Sequence, residues 1–152
     1  MNRGEVLQSI IFSTHTLTRI AAQEAGNDAP AAQWRALSLL DGALGDRSSG
    51  APRGRRVGEL AKASRTTQPG MTRLIGQLEH EGLVRRTPDP DDSRATVVMI
   101  TDEGTKALQA WRQELQRILA PRFSDLDDAD WAHLARAAEI LHTHSLLERT
   151  AR

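Results

Sequence analysis

The chain contains no cysteine and no tyrosine, and only 3% of its 152 residues are aromatic. Without thiols there is no disulfide framework, thiol nucleophile, thiol redox switch or Cys-ligated zinc. No run of 18 apolar residues occurs, and Met1, Asn2, Arg3, Gly4 and Glu5 lead into an amphipathic segment rather than an apolar signal. A cytoplasmic location without a membrane partner is therefore expected. A Gly-rich phosphate loop, a nucleophile elbow and an HExxH pair are also missing, so neither an enzyme nor a bound cofactor is expected. His142 and His144 stand two apart, on different sides of any helix that carries them, and no nearby carboxylate–histidine cluster completes a metal site.

What is present is ordinary for a folded domain: 39% apolar and 26% charged residues, long enough to bury a core. The formal net charge is zero, but its distribution is uneven. Between Arg53 and Arg86 there are eight basic residues (Arg53, Arg55, Arg56, Lys62, Arg65, Arg73, Arg85, Arg86) against three acidic ones (Glu59, Glu79, Glu81). A basic middle between mildly acidic flanks suits a polyanion-binding module, and equally a merely solvated basic face.

Apolar residues at Val6, Leu7, Ile10, Ile11, Leu17, Ile20 and Ala21 follow helical spacing and predict a first helix over Glu5–Glu24, ended near Gly26. A second helix is predicted from Ala31, after Pro30, through Leu44. The Gly-, Ser- and Pro-containing tract from Gly45 to Gly58 reads as a mobile loop that carries Arg53, Arg55 and Arg56 at its end. A short helix over Val57–Ala63 and a turn come next. The following helix, Thr67–Glu81, would be about 22 Å long and stopped by Gly82. Its apolar face is Met71, Leu74, Ile75 and Leu78; Thr66, Arg73, Gln77 and His80 lie opposite. Leu83–Thr87 and Thr96–Ile100 are rich in β-formers and flank the loop Pro88–Ala95, which predicts a hairpin. Thr101 caps a further helix bearing Leu108, Trp111, Leu115, Ile118 and Leu119, and a last one starts near Asp127–Asp130. The fold class is mainly α, a winged helix-turn-helix over 31–101 flanked by helical regions at 1–26 and 102–150.

The run VGELAKASRTTQPGMTRLIGQLEHEGLVRRTPDPDDSRATVVMITDEG carries a more specific signal. Its ELA, its TRLIGQLEHEGLVRR, and above all the D-x-R of Asp92, Ser93 and Arg94 followed by T-x-x-G at Thr101 and Gly104 resemble the MarR family of bacterial transcriptional regulators. The resemblance extends over nearly the whole chain. It implies a homodimeric repressor that reads a palindromic operator in double-stranded DNA and is released by a small aromatic or anionic effector. Arg65, Thr66, Thr67, Gln68, Thr72 and Arg73 lie at the groove-facing end of the recognition helix. Arg73 suits guanine and Gln68 adenine, unless both hold phosphates. Arg94 is, by the same resemblance, the wing-tip arginine that enters a minor groove. Asp92 would brace its guanidinium or the turn, and Arg85 and Arg86 would contact the backbone.

Two features depart from the family pattern. Gly70 and Gly76 lie inside the recognition helix, at about 1 kcal/mol each relative to alanine. The loop before Val57 is long and basic, and its PRGRR is similar to an AT-hook core with Arg56 where proline is expected; Arg53, Arg55 and Arg56 are candidate phosphate contacts. The stripes Leu7, Ile10, Ile11; Trp111, Leu115, Ile118; and Leu134, Leu141, Leu146 exceed what one winged helix covers and predict a dimer interface. His15, Arg19 and Trp34 are candidate effector ligands, although each also fits an ordinary structural role. The rival reading is a winged-helix protein-interaction adaptor that lacks specific DNA binding.

Overall fold

The computed structural model describes residues 1–26, 31–42 and 54–146. Helix α1 spans Arg3–Glu24, two residues earlier than the apolar spacing predicts, because Asn2 and Glu5 form a reciprocal cap: the Asn2 side chain accepts from the Glu5 amide at 3.0 Å and Glu5 accepts from the Asn2 amide at 2.8 Å. Helix α2 spans Ala31–Leu40, and the predicted continuation to Leu44 lies partly outside the described residues. Helix α3 (Val57–Ala63) and helix α4 (Gln68–His80) follow, then strands β1 (Val84–Pro88) and β2 (Thr96–Ile100). Helix α5 (Asp102–Leu119), a 3-10 turn (Ala120–Phe123) and helix α6 (Asp128–Leu146) complete the order. Among the described residues no helix is long and apolar enough to cross a membrane.

The strands form an antiparallel hairpin in which Val84 faces Ile100 and Pro88 faces Thr96. The core gathers Leu37 and Leu40 of α2, Leu60 of α3, Met71, Ile75 and Leu78 of α4, Val98 of β2 and Leu108 of α5, all fully buried. Each such side chain contributes about 1.5–3 kcal/mol of burial, so α2, the helix pair, the hairpin and α5 are fixed against one another.

The apolar stripes divide in an unforeseen way. On α5, Ile118 is buried, Leu115 is half-buried and Trp111 stacks on Trp34 of α2 with ring centroids 4.9 Å apart. That stripe is partly covered within the chain, because α1 and α2 both pack on α5. On α1, by contrast, Leu7 is 59% exposed, Ile11 69% and Phe12 74%, while Ile10 is half-buried. On α6, Trp131, Leu134, Ile140 and Leu141 are exposed, and the side chain of Leu146 lies outside the described residues.

Candidate nucleic-acid interface

The helix pair is set by its turn. Ser64 closes α3, Arg65 adopts the left-handed conformation (φ 52°), and the Arg65 and Thr66 amides donate to the Lys62 and Ala61 carbonyls at 3.1 and 3.0 Å. This is the bonding pattern of a helix end that favours glycine at the left-handed position. Thr67 then caps α4, its hydroxyl accepting from the Gly70 amide at 3.2 Å, with Pro69 in the first turn. Helix α4 thus has 13 residues rather than 15, because its two predicted end residues, Thr67 and Glu81, are caps. Gly82 follows at φ 74°, as its expected role as a helix stop requires.

Burial sorts α4 as the periodicity predicts. Met71, Ile75 and Leu78 are buried and Leu74 is half-buried, whereas Thr66, Thr67, Gln68, Thr72, Arg73 and Gln77 are exposed. The Thr72 hydroxyl donates back to the Gln68 carbonyl at 2.9 Å, leaving its oxygen free to accept. Arg65 and Arg73 border a groove of about 520 Å³ with Arg35 of α2, a basic residue that the sequence reading missed.

On the wing, Arg85 is exposed, and Arg86 pairs with Glu79 of α4 at 3.2 Å, tying hairpin to helix. Arg94 is exposed at the hairpin tip and its side chain has no ion pair among the described residues. Asp92 braces the turn, accepting from the Arg94 amide at 3.0 Å; its other oxygen lies 3.6 Å from Arg56, so it does not hold the Arg94 guanidinium.

The end of the basic loop differs from expectation. Arg53 lies outside the described residues. Arg55 is not in a free loop: its backbone bridges to Val98, with N–O distances of 3.0 and 2.8 Å, and adds a one-residue third strand to the hairpin. The edge of β2 has backbone groups to satisfy, and Gly54 permits the approach, since a Cβ there would come within 2.6 Å of Val97. Arg56 turns to the start of the wing loop and pairs with Asp89 at 2.7 Å. Asp89, which sequence reasoning also missed, is buried; the Asp91 amide and then the Arg56 guanidinium hold its carboxyl below the usual range. An acidic residue between two prolines, facing a basic run in the chain, was the available signal.

A second cavity, of about 380 Å³ and largely apolar, opens between α1, α2 and α5. Leu17, Ala21, Trp34, Arg35, Trp111 and Leu115 line it. Of the candidate effector ligands only Trp34 contributes to its wall; His15 and Arg19 are exposed on α1 and are not part of the lining. The Trp34 indole N–H is buried without a hydrogen-bond partner among the described residues.

A helix pair with a polar outer helix, followed by a hairpin that carries an outward arginine, defines a winged helix-turn-helix protein. The MarR family model matches residues 52–96, the segment holding both helices and most of the wing. Over that segment the chain is similar to the MarR family. An HTH-type transcriptional regulator of Mycobacterium bovis is 34% identical over 84 residues, which cover 55% of this chain and 59% of that protein. The match thus spans little more than half of its relative. The whole fold is similar to a MarR family protein from Bacillus stearothermophilus (TM-score 0.72, 21% identity, 95% of this chain and 97% of that one). It is also similar to a Staphylococcus aureus MepR variant bound to an oligodeoxyribonucleotide (TM-score 0.59, 21% identity, 94% and 98%).

Proposed function

We propose that this protein is a homodimeric transcriptional regulator that binds double-stranded DNA at a palindromic operator, acts as a repressor, and is released by a small planar aromatic anion. The observation that carries the reading is the sorting of α4: its apolar side is sealed in the core while Gln68, Thr72 and Arg73 stand exposed, beside a wing whose tip presents an exposed arginine. A helix of this length, about 20 Å, can lie along a major groove while Arg94 reaches the adjacent minor groove.

The exposed apolar residues of α1 and α6 support a second copy as the partner, since large contiguous apolar surface left in water marks an interface. Two-fold pairing sets two recognition helices about one turn of DNA apart. The Trp-walled cavity supports the effector: stacked indoles favour a flat ring, the unpaired Trp34 N–H favours an acceptor, and Arg35 favours negative charge. Arg35 lines both this cavity and the groove beside α4, so an anion that holds it in the cavity biases the DNA-binding face.

Selection from a random duplex pool at near-physiological salt tests the reading. Enrichment of an inverted repeat with half-sites about ten base pairs apart is the expected result. Weak binding without an enriched sequence would favour the adaptor.

A further inference from the structure

Helix α3 begins with a residue unsuited to the position. Arg56 occupies the N-cap with extended backbone (φ −69°, ψ 150°), where a side-chain oxygen normally accepts from the first-turn amides. A guanidinium has no acceptor. Only Glu59 reciprocates, accepting from the Arg56 amide at 2.9 Å. The Arg56 side chain leaves the helix altogether and reaches the start of the wing loop 33 residues away, where Nε donates to Asp89 Oδ2 at 2.8 Å and Nη2 lies 2.7 Å from the same oxygen.

Asp89 is one of only two buried polar residues among those described, and its second oxygen accepts from the Asp91 amide at 2.9 Å. Nη2 of Arg56 also lies 3.6 Å from Asp92, whose other oxygen holds the Arg94 amide. Side chains therefore connect the first turn of the helix pair to the backbone of the wing-tip arginine. The neighbouring Arg55–Val98 bridge fixes the same stretch of backbone to β2.

We propose that Arg56 and Asp89 form a positioning clamp that locks the wing to the helix pair, so that Arg94 is held at a fixed offset from α4. The clamp rests on the DNA-binding reading, in which Arg94 touches the duplex. It predicts the opposite of what charge alone predicts. Removing the Asp89 carboxylate makes the protein more positive, and simple attraction to phosphates would tighten binding. Loss of the clamp weakens it, because the wing must then be ordered on the DNA.

The test uses the full chain and the labelled duplex that wild type enriches from the random pool. Asp89→Asn is expected to weaken binding about tenfold. Arg56→Ala is expected to weaken it similarly with an unchanged salt slope, whereas loss of a phosphate contact lowers the slope by about 0.9. Arg94→Ala should cost several-fold less in the Asp89→Asn background than in wild type. Tighter binding by Asp89→Asn, or an Arg94→Ala penalty identical in both backgrounds, overturns the clamp. A readout without DNA separates failure of the clamp from failure of the DNA-binding reading. Limited trypsin digestion with mass spectrometry should show Asp89→Asn cut faster after Arg94 while cuts elsewhere keep their rates. Unchanged cleavage after Arg94 refutes the clamp whether or not wild type binds a duplex. Asp92→Asn, which keeps the Arg56–Asp89 pair, should show a smaller acceleration and serves if Asp89→Asn fails to fold.

Discussion

Gly104 packs against the carbonyl oxygen of Leu83 so closely that a Cβ at position 104 would overlap that oxygen and meet Ile100 at 2.8 Å. The same carbonyl accepts from the Thr101 amide at 3.1 Å, and the Thr101 hydroxyl donates to Gly82 at 2.6 Å while accepting from Gly104 at 3.0 Å. The T-x-x-G of the sequence is thus the joint that docks α5 onto the start of the wing.

Gly104→Ala should therefore destabilise the fold by at least about 2 kcal/mol, since the opposing atom is backbone and cannot swing aside. Gly76 is the control: it is exposed within α4 and nothing lies within 4 Å of a Cβ there. Gly76→Ala should stabilise by about 0.5–1 kcal/mol through helix propensity alone. Urea unfolding of the two variants checks both signs, and a neutral Gly104→Ala would dissolve the joint.

These two glycines also mark where sequence reading stops. Both looked like costs or motif letters in the chain; only the backbone brought opposite Gly104 distinguishes them. Local signals gave α3, the inward face of α4 and β2, because caps and periodicity act within a few residues. Contacts between distant segments were not legible: Arg55 on Val98, Arg56 on Asp89 and Trp34 on Trp111 each join residues more than thirty apart. That is why the end of the basic loop was read as free, and why the packing of the α5 stripe on Trp34 was not foreseen.

Arg65 sits at φ 52° in the tight turn, a conformation that costs a side-chain-bearing residue about 1 kcal/mol. Arg65→Gly should raise stability by about that amount and yet weaken DNA binding, with the salt slope falling by about 0.9 if Arg65 holds one phosphate. Thermal unfolding and a salt titration of the variant give the two halves. Gain of stability without loss of affinity would make Arg65 a bystander.

Arg94 is exposed and its side chain makes no ion pair among the described residues, so its removal should leave the fold untouched. Arg94→Ala should lower operator affinity by about 1–3 kcal/mol with an unchanged melting temperature and unchanged dimerisation. Fluorescence anisotropy at fixed salt measures the first and sedimentation the last. Equal affinity would remove the wing tip from recognition.

The carboxyl of Asp89 is held below its ordinary value by the Asp91 amide and the Arg56 guanidinium. A lowered carboxylate contributes stability that is complete above the unfolded value, about 3.9, and is lost as pH falls through the folded value. Stability should thus be insensitive to this group near neutrality and decline below about pH 4. Asp89→Asn should flatten that acid limb, as followed by urea midpoints across acidic pH. An identical limb in the variant would assign the acid sensitivity to other carboxylates.

The Trp34–Trp111 stack gives the cavity between α1, α2 and α5 its own reporter, since both rings border it and Trp34 is otherwise half-buried with an unpaired N–H. A flat aromatic carboxylate such as benzoate should quench the tryptophan fluorescence saturably and weaken duplex binding in the same concentration range, as linkage requires. Arg35→Ala should weaken benzoate binding, while His15→Ala and Arg19→Ala should leave it unchanged because neither side chain lines the cavity. Quenching that depends on His15 and Arg19 but not on Arg35 would move the effector out of this cavity and onto the exposed face of α1.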